Sequence, residues 1–231
     1  MEFKDFNFPS TPHMVGDGVT REDKVINAQE LEELLRDDVR IQEKVDGSQV
    51  CIFADSTQEP YFKHRNGQIN MPMDDFKKLD EWYAIHREDV TKICEGRYVL
   101  VGEWMYWKHQ VEYDKLPSFF IVYDMFDLKE EKFLSQNKVA EKLKGTNLYQ
   151  NPVFFEGKIG DIKNLENMMS GSLFGATKKE GLYIRVDDAE HNLKRVKYVS
   201  PEFLDNLKEK EHWKVGKLNH SIDNTESLWK A

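Results

Sequence analysis

A chain of 231 residues with 39% hydrophobic and 12% aromatic content is long enough to bury a substantial core as one domain. Its net charge of −9, from 33 basic and 42 acidic residues, excludes a protein that coats nucleic acid by bulk positive charge, because such binding needs Lys and Arg to displace counterions from phosphates. There is no run of eighteen apolar residues and no basic-then-apolar opening, so neither a membrane span nor a signal peptide is expected and the chain reads as cytosolic. Cys51 and Cys94 lack metal-ligand spacing and are expected to be reduced and structural.

After an irregular opening over residues 7 to 20, Asn27 is placed to cap a helix running through Leu31, Leu34 and Leu35. Arg40 to Val45 and Gln49 to Ala54 read as strands on either side of the turn Asp46-Gly47-Ser48, with Lys44 close to that turn. Tyr61 to Arg65 reads as a strand ending at Asn66-Gly67, and Asp74 to Glu95 as a helix. Arg97 to Trp104 and Phe119 to Phe126 are apolar strands, and Gln136 to Leu143 and Lys163 to Met169 are helices. Gly181 to Val186 and Leu193 to Val199 pair around the turn Asp187 to Asn192, and Pro201 opens a last helix. Strands and helices mix without strict βαβ alternation, so the expected class is α+β built on antiparallel sheets, in a single domain over residues 1–231.

A Lys-x-Asp-Gly match alone is weak evidence, arising by chance in roughly one in twenty chains of this length. The ordered set behind Lys44-Val45-Asp46-Gly47 makes it informative: Gly102-Glu103, Phe120 to Asp124, Glu180-Gly181-Leu182 and Arg195-Val196-Lys197. A lysine attacks a nucleotide α-phosphate only as the neutral amine, whereas its free pKa of about 10.4 keeps it protonated at pH 7. Lys197 and Arg195 are expected to lower that pKa, and Glu180 and Glu103 to supply oxygen ligands for a divalent metal. Gly47 and Gly181 suit tight turns or a close approach of backbone to nucleotide. His13 and His109 read as structural histidines, while Trp104, Tyr106 and Trp107 suit either core packing or stacking on unpaired bases.

Together with Glu43, Ser48, Arg65-Asn66-Gly67 and Tyr183-Ile184-Arg185, this set resembles the covalent nucleotidyltransferase superfamily of ATP-dependent DNA ligases, RNA ligases and mRNA-capping enzymes, and most of all its RNA ligase 2-type branch. The resemblance implies an antiparallel-sheet, ATP-grasp-like adenylation domain with flanking helices, without a separate oligonucleotide-binding barrel. It implies that Lys44 becomes lysyl-AMP, Glu103 binds the ribose, Phe120 stacks on the adenine and Arg65 reaches the sugar or a phosphate. Glu180 would act near metal and ribose, Lys197 on the α-phosphate and Glu43 beside the base, with Asp46, Gly47, Gln49 and Arg195 completing the nucleotide site. The implied reaction uses ATP and Mg²⁺ or Mn²⁺ to join a 5′-phosphate RNA end, nicked duplex included, to a 3′-hydroxyl. A small DNA ligase, a GTP-using capping enzyme and a non-sealing nucleotide-binding module are the alternatives. Two positions depart from the pattern: Gln49 stands where RNA ligases commonly have Asn, and Arg195 where the first of two lysines is typical, which exchanges a point charge for a planar fork.

Overall fold

Strand β1 (Val39–Lys44) and strand β2 (Ser48–Ala54) are joined by three residues, yet they belong to different sheets. In the computed structural model, which describes residues 1–16, 23–65, 67–69, 76–199 and 203, the strand–turn–strand read around Lys44 is therefore a crossing between sheets rather than a hairpin. Two contacts direct the crossing. The backbone N–H of Asp46 donates to the Tyr113 hydroxyl at 2.8 Å, and a Cβ at Gly47 would lie 2.7 Å from both the Trp104 carbonyl oxygen and the Met105 sulfur. Only a residue without a side chain passes there, and Ser48 then pairs with Trp104.

The first sheet is antiparallel. Helix α1 (Ala28–Arg36) precedes it, and strands β9 (Val153–Gly157), β10 (Gly181–Asp187) and β11 (Asn192–Val199) join β1 in the order β11-β10-β1-β9. Asn27 caps α1 as expected, and the box is reciprocal: Glu30 N–H donates to the Asn27 side chain at 2.9 Å, and Asn27 N–H donates to the Glu30 carboxylate at 2.8 Å. Leu34 of α1 and Leu165 of α4 (Lys163–Met168) pack with Ile41, Leu182, Ile184 and Val196 on one face of this sheet.

The second sheet contains β3 (Pro60–His64), β4 (Gly67–Gln68), β5 (Tyr98–Trp104), β6 (Phe120–Asp127) and β7 (Lys132–Phe133), in the order β4-β3-β2-β5-β6-β7. Its pairs are antiparallel, except that β8 (Tyr149–Gln150) runs parallel to β6. One face is covered by helix α2 (Leu79–Cys94), whose Leu79, Trp82, Val90 and Ile93 enter the largest core. The other face carries Cys51, Val99, Val101 and Phe126 against Phe3 and Phe6 of the N-terminal segment. Burial on both faces explains why β5 and β6 read as continuous apolar runs. The α+β class with antiparallel sheets and flanking helices is as expected, and the helix expected after Pro201 falls outside the described residues, as does Asn66.

A buried ion cluster ties the sheets together. Arg185 of β10 bonds Asp124 of β6, and both side chains are fully buried. Asp124 also accepts from the Tyr183 hydroxyl at 2.9 Å and from Arg195 at 3.3 Å. Arg185 further donates to the Leu134 carbonyl at 2.8 Å and pairs with Asp187 at 3.2 Å. Beside it, Gln136, the first residue of α3 (Gln136–Leu143), donates to the Tyr123 carbonyl at 2.8 Å and accepts from Gln42 of β1 at 3.0 Å. Removing one partner of such a buried pair leaves the other charge uncompensated. Asp124→Ala should therefore lower unfolding stability by about 3–5 kcal/mol, read as a lower urea midpoint, with a much smaller loss for Arg36→Ala at the exposed pair with Glu32.

Candidate active site

Beyond the crossing, residues of both sheets line an open cleft of about 200 Å³. Lys44, the last residue of β1, lies in it together with Gln49, Arg65, Glu103 and Lys197. Pairing accounts for part of this convergence: Lys44 faces Gly181 across β1–β10, Tyr183 faces Lys197 across β10–β11, and Gln49 faces Glu103 across β2–β5. A Cβ at Gly181 would strike the Tyr198 carbonyl oxygen, so this glycine lets β11 lie close against β10 beside Glu180.

Lys44 Nζ lies 2.6 Å from both carboxylate oxygens of Glu180. Burial works to lower the Lys44 pKa, but the carboxylates of Glu180, Glu103 and Asp46 outweigh it and raise the pKa above the ordinary value. This corrects the expectation that Lys197 and Arg195 lower it: with three carboxylates near the amine, Lys44 is held as an ammonium. Lys197 shifts the other way, lowered by burial and by the neighbouring Lys44 charge. Burial pushes the Glu103 carboxyl up to about 8 against the pull of Lys44, with Glu180 and Asp46 adding to the rise. Burial likewise raises Glu180, against the pull of Lys44.

No group of three His, Cys, Asp or Glu side chains able to hold a metal by itself occurs among the described residues. Glu103 and Glu180 nevertheless fit a hard cation of the Mg²⁺ kind, which is commonly held by one or two carboxylates and completes its shell with phosphate oxygens and water. The strained proton affinity of these two carboxyls is what a nearby divalent charge would relieve.

Several expected site residues do other work. Phe120 is fully buried; its ring packs edge-on against Trp82 at 5.1 Å and over Gly102, where a Cβ would come within 2.6 Å of it. It is a core residue and does not reach the cleft. Tyr123 does line the cleft, and the register of β5 and β6 slips beside it: Val101 faces Asp124 and Gly102 faces Val122, leaving Tyr123 as the extra residue of a bulge. Its hydroxyl accepts from Gln49 at 3.1 Å, and burial raises its pKa well above the ordinary value, so the phenol is neutral.

Asp46 is not a cleft residue either. Its carboxylate accepts the backbone N–H groups of Gln110 and Val111 at 2.6 and 2.8 Å, pinning the loop after β5. Gly47 serves the crossing between sheets rather than an approach to nucleotide. Arg195 belongs to the Asp124 cluster, its guanidinium 3.7 Å from the Phe133 ring centre. Glu43 contributes to the cleft wall, but its carboxylate accepts from the Ser172 hydroxyl and the Leu173 N–H, both at 2.7 Å, and so anchors that loop. Trp104 is core, Tyr106 stacks on it at 6.1 Å, and His109 lies 3.3 Å from the Ser48 hydroxyl. Tyr183, Asn151 and the segment Phe8 to Thr11 also line the cleft.

Residues 37–199 match the RNA ligase family model, and the chain belongs to the RNA ligase family. Its fold is that of Naegleria gruberi RNA ligase. A lysine-to-alanine variant of that enzyme with ATP and Mn superposes with a TM-score of 0.64 at 17% identity, covering 87% of this chain and 64% of that one. The same enzyme with PPi gives 0.63 at 17% identity over 91% and 64% of the two chains, and a lysine-to-methionine variant with AMP and Mn gives 0.63 at 18% over 89% and 65%. The chain thus spans less than two thirds of the length of these solved relatives. Comparison with curated protein sequences gives no match.

The exchange of Phe120 for Tyr123 is directly testable. Phe120→Ala should cost about 3–5 kcal/mol of stability, as expected for emptying a buried aromatic site, with adenine-nucleotide affinity per folded molecule unchanged. Tyr123→Ala should weaken nucleotide binding about tenfold with a smaller loss in melting temperature, measured by calorimetric titration and thermal denaturation.

Proposed function

We propose that this chain is an ATP-dependent RNA ligase that forms a lysyl-AMP intermediate at Lys44, passes AMP to a 5′-phosphate RNA end and seals that end to a 3′-hydroxyl. The observation that carries the reading is the Lys44 amine in an open cleft, bonded to Glu180 and flanked by Glu103, Arg65 and Lys197, in a chain of the RNA ligase family. The Naegleria gruberi enzyme solved with ATP and Mn, and with AMP and Mn, supports the same cofactor class for this cleft.

In the first step the neutral Lys44 amine attacks the α-phosphorus of ATP. An N–P bond forms, the bond to the pyrophosphate oxygen breaks, and the amine gives up a proton. Glu180, 2.6 Å from Nζ, is placed to take that proton. Lys197 and Arg65 put positive charge beside the phosphates, where charge spreads in the transition state. Tyr123 offers an aromatic face and Gln49 an amide, each suited to the nucleoside. Glu103 and Glu180 would hold Mg²⁺ or Mn²⁺, which would supply positive charge to neutralise the phosphates and favour the neutral amine.

The decisive measurement incubates purified protein with ATP or GTP labelled at the α-phosphate, with Mg²⁺ or Mn²⁺, and follows label on the denatured chain. Label from ATP and its loss in Lys44→Ala are expected, followed by transfer to 5′-phosphorylated RNA in preference to nicked DNA. An adduct that persists in Lys44→Ala would sink the reading, and labelling from GTP alone would turn it toward a capping-type enzyme.

The electrostatics also fix a pH dependence. Because Lys44 is held protonated above its ordinary pKa of 10.5, the reactive fraction grows as pH rises and shrinks as it falls. Single-turnover labelling should climb between pH 6 and 9 by up to about tenfold per unit. A flat profile in that range would mean that deprotonation of the amine does not limit the step.

A further inference from the structure

The family match begins at residue 37, yet one wall of the cleft comes from the chain before it. Phe8, Pro9, Ser10 and Thr11 line the same cleft as Lys44 and Lys197. The segment is fastened on both sides of this stretch. Upstream, Phe6 packs on Phe126 at 4.6 Å and its carbonyl accepts from Lys63 Nζ at 2.8 Å. The Phe8 ring meets Tyr123 edge-on at 5.9 Å and Phe133 at 5.4 Å. Downstream, the Lys197 N–H donates to the Pro12 carbonyl and the Met14 N–H to the Lys197 carbonyl, both at 2.8 Å. His13 and Met14 are buried there.

The strap therefore runs from the aromatic ring at one part of the cleft to the backbone of the cation at another. Between its fastenings, Ser10 and Thr11 are the residues whose side chains can donate a hydrogen bond, and among the described residues no hydrogen bond is formed by either hydroxyl. Two hydroxyl donors on an anchored segment, facing a cleft that carries Lys44, Arg65 and Lys197, suit a ligand rich in acceptor oxygens.

We propose that Ser10 and Thr11 are nucleotide-binding residues of this chain, donating to ribose or phosphate oxygens of ATP, and that the strap they sit on is a third wall of the nucleotide site. The inference rests on the reading of the cleft as an ATP site, and its test separates the two. Equilibrium binding of ATP with Mg²⁺ is measured by calorimetry in a Lys44→Ala background, where no covalent step intervenes, and single-turnover labelling is measured with Lys44 intact.

Combining Ser10→Ala with Thr11→Val should weaken ATP binding, and raise the half-saturating ATP concentration for labelling, about tenfold. Thr11→Ser, which keeps the hydroxyl and loses only a methyl, should stay within about twofold of Thr11. Unchanged ATP affinity in the double variant overturns the proposal, and so does a Thr11→Ser loss equal to that of Thr11→Val, since packing of the methyl would then be the cause. Loss of ATP affinity through the strap with no label on Lys44 would leave the strap assignment standing and remove the ligase reading instead.

Discussion

The carboxylate of Asp124 is the point on which the two sheets close. It takes Arg185 and the Tyr183 hydroxyl from β10 and Arg195 from β11 while itself belonging to β6. A buried charge cluster of this kind offers little net stability over well-packed apolar groups, because desolvation offsets most of the attraction. Its directional bonds, however, fasten β6 of one sheet to β10 and β11 of the other. The cleft follows from that arrangement: Lys44, Tyr183 and Lys197 come from the first sheet and Gln49, Arg65, Glu103 and Tyr123 from the second or its margin.

The side chains of the cleft hold its lysine in the unreactive, protonated form. Three carboxylates hold the Lys44 amine protonated, while Lys197 gives up part of its proton affinity to burial and to Lys44. Glu103 and Glu180 both have raised proton affinity, as burial disfavours their charged forms in the same way that it disfavours the charge of Lys197. A polyanionic nucleotide accompanied by a divalent cation brings compensating charge of both signs to one place, and so lowers the cost of each of these groups.

Much of the fold was legible in the sequence where one physical rule dominated. The Asn27 cap of α1, the periodicity of Gln136 to Leu143 and the apolar runs of β5 and β6 appear where they were read. The two-residue strands β7 and β8 are too short to carry a period, and β9 is half-exposed without alternation. At the site, the charges of Lys44, Glu103, Glu180 and Lys197 could be read from order and spacing, and the structure brings them together. Phe120 and Tyr123 could not be assigned in the same way. Along a strand the side chains at 120 and 123 take opposite faces, and which of those faces meets the cleft is set by how the sheets pack, which no local pattern encodes. Asp46 and Glu43 carry charges that look available for a ligand but are consumed by backbone N–H groups of distant loops. The place of the strap depends on a pairing with Lys197 more than 180 residues away.

The three-residue passage from β1 to β2 also limits how the molecule can breathe. Fully extended, three residues span only about 10 Å, so the sheets cannot draw apart at Lys44; any widening of the cleft must swing about that passage as pages swing about a spine. Groups farther along the strands would sweep the longest arcs, while the lysine beside the spine would move least. Lys44 and Glu180 lie on the same side of that passage, where Lys44 pairs with Gly181 within one sheet, so such a swing would leave the 2.6 Å contact between them intact.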